Sequence, residues 1–144
     1  MGLQQLLHQA LDAQQKGHQA EAEQLYLKVL AADPREFNAN HLLGIIRFQQ
    51  GRNSEALAFL DRALAANPDT AEAQAHHGLV LHAMGRHADA LASLEKALAI
   101  RPDHIEALNS RGMVLRAMER PHEALASLQA ALAREPDYAE AWSN

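Results

Sequence analysis

The sequence contains no cysteine and few aromatic residues, and these shortages narrow the classes of protein it can represent. Without cysteine there is neither a disulfide framework nor a thiolate metal site. Three Phe, two Tyr and one Trp, with few Val and Ile, do not favour a sheet. The apolar fraction is nevertheless 48%, and much of it is Ala and Leu, which are strong helix formers. The composition therefore predicts closely packed helices.

Long apolar runs, an N-terminal targeting segment and an excess of positive charge are also missing. No stretch approaches the ~18 apolar residues of a membrane span. The first residues do not combine a basic segment with an apolar core, as a signal peptide would. The formal net charge is −5, without a basic stripe that could contact phosphates. We therefore expect a cytoplasmic protein that binds neither membranes nor nucleic acid.

The feature that is present in abundance is self-similarity with a period of 34 residues. Four of the five prolines follow this period: Pro34, Pro68, Pro102 and Pro136. So do four alanines: Ala22, Ala56, Ala90 and Ala124. One set of glycines is Gly17, Gly51 and Gly85, and a second set is Gly44, Gly78 and Gly112, with Ala10 as its counterpart in the first repeat. Columns in a common register predict a chain of structural repeats.

Each column has a physical reason. The Gly17 column falls between two helical patterns, where glycine adopts the left-handed conformation that ends a helix. Glu119 replaces glycine in the fourth repeat, at an expected cost of about 1 kcal/mol, and Pro121 suits the first turn of the helix that follows. The Pro34 column ends each repeat, because proline cannot continue a helix.

Between these breaks, apolar residues recur with a spacing near 3.6, which predicts helices about 20 Å long. First helices are predicted at 3–16, 37–50, 71–84 and 105–118, and second helices at 19–32, 53–66, 87–100 and 121–134. The Gly44 and Ala22 columns are then the points of closest contact between the two helices of a pair. Leu60, Leu94 and Leu128, with Tyr26 in the first repeat, are expected to fill the space beside them.

These columns resemble the tetratricopeptide repeat (TPR) family. The resemblance covers residues 3–138 as repeats 3–36, 37–70, 71–104 and 105–138 of a single domain over 1–144, with 139–144 as the start of a fifth repeat. It implies an all-α solenoid of antiparallel helix pairs in a right-handed superhelix. It also implies a concave groove, lined by the first helices, that binds a protein or peptide.

The resemblance implies which side chains face this groove. They are Gln4, His8 and Leu11 from the first repeat, and Asn38, His41, Ile45 and Phe48 from the second. His76, Leu79 and His82 follow from the third repeat, and Asn109, Met113 and Arg116 from the fourth. This mixture of apolar and polar side chains fits an extended peptide better than a small molecule.

No catalytic or metal-binding constellation is apparent. None of the nine histidines has another histidine three or four residues away, the spacing that places two ligands on one helical face. There is no glycine-rich phosphate loop and no arrangement that suggests a catalytic triad. We therefore expect a protein without cofactor or metal that is not an enzyme.

Comparison with groove types known in the family does not identify the partner of this chain. The places that carry the carboxylate clamp of chaperone-binding members hold Leu7, Leu11, Leu42, Glu72 and His76, which cannot form that clamp. The chain also resembles, in Ala139–Asn144 and in general pattern, the N-terminal repeats of bacterial proteins related to O-linked N-acetylglucosamine transferases. Residues 139–144 would open a further helix pair, so we expect a chain that continues or an end that a partner covers.

Three hypotheses follow from these observations. The first is a protein–protein interaction scaffold that binds an extended segment in its groove. The second is the recognition arm of a larger glycosyltransferase-like enzyme. The third is a self-assembling module in which the open ends of the solenoid form a homo-oligomer.

Overall fold

The computed structural model describes residues 2–134, and these residues form eight α-helices and no strand. The first helices of the four pairs are α1 (Leu3–Gln15), α3 (Phe37–Gln49), α5 (Ala71–Ala83) and α7 (Ile105–Ala117). The second helices are α2 (Gln19–Ala32), α4 (Asn53–Ala66), α6 (His87–Ile100) and α8 (Pro121–Arg134). The predicted all-α helical-repeat fold is confirmed. Every helix begins at the predicted residue, and the first helices end one residue earlier than predicted.

The chain divides into two compact units, Met1–Pro68 and Asp69–Asn144. Unit 1 contains α1 to α4, and unit 2 contains α5 to α8. In each unit the two helices of a pair pack on each other, and the second helix of the first pair packs on the first helix of the next. The predicted single domain over 1–144 stays a prediction. Pro136, Trp142 and the predicted start of a fifth repeat lie outside the described residues.

The turn inside each helix pair has the conformation that the Gly17 column predicts. Gly17, Gly51 and Gly85 have φ values of 81°, 77° and 77°. The backbone N–H of Gly17 donates to Gln14 and that of His18 donates to Ala13, which is the Schellman arrangement at a helix C-terminus. Glu119 takes the same conformation with φ 59°, the one non-glycine residue with positive φ in the described part of the chain. Glu119 therefore has the left-handed conformation of the glycine column, and the predicted energetic cost stays a prediction.

The Gly44 column lies where the two helices of a pair approach most closely. A Cβ atom added to Gly44, Gly78 or Gly112 would lie 2.8, 2.8 and 2.7 Å from the Cγ of Leu60, Leu94 and Leu128, respectively. Real Cβ atoms essentially never come this close to a neighbour, so a larger residue would force the leucine or the helix to shift. In the first pair Ala10 and Tyr26 hold the equivalent places, and both are fully buried.

The core of unit 1 includes a charged pair between α2 and α3. Arg47 donates hydrogen bonds to Glu23 and Gln50, and its guanidinium lies 5.9 Å from the Phe59 ring centre. The Arg47 side chain is 8% exposed and that of Glu23 is 17% exposed. Unit 2 places Leu91 and Leu115 at the equivalent positions, and both are buried. The first unit therefore has an ion pair where the second has two buried leucines.

Candidate functional site

The first helix of each pair carries the predicted groove residues, and the structure places most of them at the surface. In unit 1, Gln4, His8 and Leu11 are exposed on α1, at intervals of three and four residues that keep them on one helical face. On α3, Asn38 is exposed, and Ile45 and Phe48 are partly exposed. In unit 2, His76, Leu79, His82 and Met113 are partly exposed and Arg116 is exposed.

Two of the predicted groove residues are buried instead. His41 is 7% exposed, with its ring centre 5.5 Å from that of Phe37. Asn109 is 3% exposed. A side chain buried to this degree offers a partner almost no surface, so the structure removes both residues from the accessible face. The 34-residue register correctly predicted the helix that carries each residue, but burial depends on neighbouring helices that the register does not describe.

Unit 2 has a cleft of about 340 Å³ at the N-terminal ends of α5 and α7. Its lining includes Glu72 and His76 from α5, Glu106 from α7, and the preceding loop residues Arg101 and Asp103. The lining contains three carboxylates and one arginine. The arginine already forms an exposed ion pair with Asp103, with 3.6 Å between Arg101 Nε and Asp103 Oδ1. This end of the α5–α7 surface, here called the acidic cleft, suits a positively charged group.

The acidic cleft contains two histidines, His76 and His104, that are partly or fully buried. Burial lowers the pKa of His76, and the charge of His104 lowers it further, against the opposing effect of Glu106 and Glu72. His104 is 5% exposed and accepts a hydrogen bond from the backbone N–H of Ala107 at 3.2 Å, so it caps the N-terminus of α7. Sequence reasoning missed His104, because histidine is not a usual N-cap residue. Its place immediately before an apolar helical pattern was the available signal.

A second cleft, of about 310 Å³, lies at the C-terminal ends of the same two helices. His82, Met113, Arg116 and Ala117 line it, so three predicted groove residues come together there. It is here called the basic cleft, because Arg116 is the charged group in its lining. His82 also contacts His87 at the start of α6, with 3.2 Å between the two Nδ1 atoms. Burial lowers the pKa of His82, and the charge of His87 lowers it further.

Unit 1 contains a smaller cleft that the sequence did not predict. Gln14, Gly17, Gln19, Ile46 and Gln49 line about 260 Å³ at the C-terminal ends of α1 and α3. The Gln14 side chain also accepts a hydrogen bond of 2.6 Å from the Tyr26 hydroxyl, and burial raises the pKa of Tyr26 to about 12. The lining carries no charge, so this cleft can offer amide hydrogen bonds but no ionic recognition.

A serine–histidine contact in unit 2 has a structural explanation. His77 Nδ1 lies 2.7 Å from Ser93 Oγ, but Ser93 is only 5% exposed and lines none of the three clefts. One repeat later, Arg111 donates a 2.7 Å hydrogen bond to Ser127 at the equivalent positions. In both repeats the serine of the second helix bonds to the first helix, although the partner changes from histidine to arginine. This recurrence indicates a structural contact between the two helices of a pair. Within residues 2–134, no three or more His, Asp or Glu side chains are grouped to hold a metal ion.

The fold and these clefts define a class: a helical-repeat protein that presents surface clefts along the first helix of each pair. The sequence profile of the tetratricopeptide repeat matches residues 35–103 and, one repeat later, residues 69–137. The chain therefore belongs to the tetratricopeptide repeat family, whose members are scaffolds for binding proteins and peptides. No curated protein matches the sequence. No helix among the described residues is long and apolar enough to span a membrane.

Solved structures show the same fold. The crystal structure of MamA is 28% identical, with a TM-score of 0.85, and the match covers 96% of this chain and 81% of that chain. The crystal structure of YrrB is 25% identical, with a TM-score of 0.83, over 93% of this chain and 69% of that chain. YrrB is described as a TPR protein with an unusual peptide-binding site. A second MamA structure matches at 28% identity with a TM-score of 0.84, over 96% of this chain and 76% of that chain.

Proposed function

We propose that this protein is a scaffold that binds an extended segment of a partner protein, and that in unit 2 the segment lies along α5 and α7. The observation that carries the proposal is the pair of clefts of opposite charge at the two ends of these helices. The first-helix face of unit 1 contributes a further surface through Gln4, His8, Leu11, Asn38, Ile45 and Phe48. The peptide-binding site named for YrrB supports the same type of ligand.

The dimensions of the α5–α7 surface suit a short extended peptide. Ten residues separate Glu72 from His82 and Glu106 from Arg116, which corresponds to about 15 Å along a helix. An extended chain covers that distance in about five residues. Leu79 and Met113 lie between the two ends and are partly exposed, so they can contact apolar side chains. The preferred ligand therefore has a basic residue near one end, apolar residues in its middle and an acidic residue near the other end.

A fluorescence-polarisation screen of labelled seven-residue peptides tests this proposal. The library contains basic–apolar–acidic sequences in both directions, together with neutral and like-charged versions. Wild-type protein is expected to select the basic–apolar–acidic class, because each end then meets a cleft of opposite charge. The variant Glu72→Lys/Glu106→Lys should reverse the charge preferred at one end, and Arg116→Glu should reverse it at the other.

The matched control is Glu95→Lys, which makes the same charge reversal at an exposed position on α6. It should leave the selected class unchanged. Equal binding of all peptide classes by the wild-type protein would contradict the proposal, as would an unchanged preference in both cleft variants. Circular dichroism of each variant separates a change of preference from a loss of fold.

Self-association is a second candidate, favoured by one feature of α8. Leu125 is 54% exposed there, the most exposed of the large apolar side chains in the described residues. Contact between two copies would remove this side chain from water. In light scattering over a wide concentration range, we expect the mass of the wild type to rise above the monomer mass of 15.8 kDa. The mass of Leu125→Gln should stay at the monomer value at every concentration. A constant wild-type mass would reject this candidate and leave the peptide proposal intact.

A further inference from the structure

Two histidines meet across the turn between α5 and α6. His82 lies in the last turn of α5 and His87 is the first residue of α6. Their Nδ1 atoms are 3.2 Å apart, and their ring centres are 5.1 Å apart with the planes tilted by 50°. The turn that brings them together is well defined, because Gly85 has φ 77° and the N–H of Arg86 donates to Leu81 at 2.9 Å.

This separation is the one that a chelated metal ion requires. Histidine nitrogen binds Zn²⁺ at about 2.0–2.1 Å, so two nitrogens at a tetrahedral or right angle around one ion lie about 2.9–3.4 Å apart. From this match we propose that His82 and His87 form a two-histidine site that binds a divalent transition-metal ion through both Nδ1 atoms. The metal proposal does not rest on peptide binding, although His82 also lines the basic cleft.

The contact that the ion would replace is weak. Without an ion, one ring donates its Nδ1–H to the other ring, and 3.2 Å is at the long end for such a hydrogen bond. Moving the proton to Nε2 gives the other neutral tautomer and leaves a lone pair on each Nδ1. Both rings are partly exposed, so a hydrated ion can reach them and the displaced Nε2–H can contact water.

The surroundings determine what kind of site this is. No third His, Asp or Glu completes a cluster within residues 2–134, so water fills the remaining coordination positions. Arg116 lines the same cleft as His82 and opposes a cation, whereas the C-terminal end of α5 favours one. Two imidazoles and water suit Cu²⁺, Ni²⁺ and Zn²⁺ rather than Mg²⁺ or Ca²⁺. The site is therefore an exchangeable one for nitrogen-preferring ions.

Isothermal titration of the full chain with Ni²⁺ at pH 7.5 tests the proposal, with any polyhistidine tag removed. The wild type is expected to bind one ion. His82→Gln and His87→Gln should each weaken binding by at least about tenfold, since loss of a ligand should matter no less than loss of an outer-shell partner. His122→Gln, at an exposed histidine on α8, is the matched control and should bind like the wild type.

A second measurement on the wild type does not depend on how the variants fold. Ni²⁺ is paramagnetic, so in NMR spectra the imidazole signals of His82 and His87 should broaden first during the titration. The proposal is overturned if the wild type binds no Ni²⁺, or if both variants bind it like the wild type. It is also overturned if His76→Gln removes binding or if the first broadening occurs at His76 and His104, because the ion would then lie in the acidic cleft.

Discussion

At the scale of single residues, the repeat requires a left-handed backbone conformation at the end of the first helix of each pair. Glycine ends the first helix in three pairs, and Glu119 performs the same task in the fourth with φ 59°. A side chain with a Cβ atom is strained in this conformation, whereas glycine is not. The strain persists because the hydrogen bonds of the turn, such as Arg120 N–H to Leu115 O at 2.8 Å, require that backbone path.

Replacing Glu119 by glycine should therefore stabilise the protein. We expect Glu119→Gly to raise the free energy of unfolding by about 0.5–1 kcal/mol, the left-handed penalty less the greater freedom of glycine in the unfolded chain. Urea denaturation followed by circular dichroism measures the difference. Gly85→Glu makes the reverse change one repeat earlier and should destabilise by a similar amount. A destabilised Glu119→Gly variant would show that the glutamate side chain contributes more than its backbone strain removes.

At the scale of helices, the contact between α2 and α3 differs from its counterpart in unit 2. Burial alone would raise the pKa of Glu23, but hydrogen bonds from Arg47 and Gln50 and the charges of Arg47 and Arg52 lower it overall. The carboxylate is therefore held ionised beside a buried guanidinium. Leu91 and Leu115 occupy the equivalent positions in unit 2 without any charge.

This comparison predicts a non-additive pair of substitutions. Glu23→Leu alone should destabilise by about 2–4 kcal/mol, because it leaves Arg47 buried without its main partner. Combining it with Arg47→Leu should recover most of that loss, since buried leucines occupy both equivalent positions in unit 2. A double-mutant cycle in urea measures the coupling. Additive losses from Glu23→Leu and Arg47→Leu would mean that the two side chains do not act as a pair.

At the scale of the whole molecule, a tandem-repeat fold makes stability the sum of repeat terms and contacts between neighbouring repeats. The family profile matches twice, one repeat apart, as expected for such a chain. The formal net charge of −5 opposes binding to nucleic acid, which stays a prediction. A partly buried histidine in the acidic cleft links the stability of this fold to pH.

Stability should fall on mild acidification, with a contribution from His76. Its pKa is lowered from 6.5 in the folded protein by burial and by His104, so the unfolded chain binds a proton more readily. The contribution is fully present above pH 6.5 and is lost as the pH falls through 6.5 towards the folded pKa. Between pH 8 and pH 5.5, His76→Gln should lose less stability than the wild type in urea denaturation. If His76→Gln loses as much stability as the wild type, or more, the lower pKa of His76 in the folded protein does not contribute to the pH dependence of stability.

The sequence by itself determined the fold and nearly all helix boundaries. Gly17, Pro34 and their repeats act through backbone conformation, which depends on the residue and its immediate neighbours. The close helix contact at Gly44 was also predictable from the sequence, because a column of glycines inside helical patterns has few explanations other than close packing.

Only the tertiary structure decided which side chains meet and which are accessible. It buried His41 and Asn109, joined Glu23 to Arg47 from different repeats, and placed His82 beside His87 across a turn. The histidine pair lies outside the three- and four-residue spacings of a single helix, so a search along one helical face cannot find it. The physical reason is that these contacts depend on the packing of separate helices, whereas the repeat columns record local backbone geometry and the closest approach within one pair.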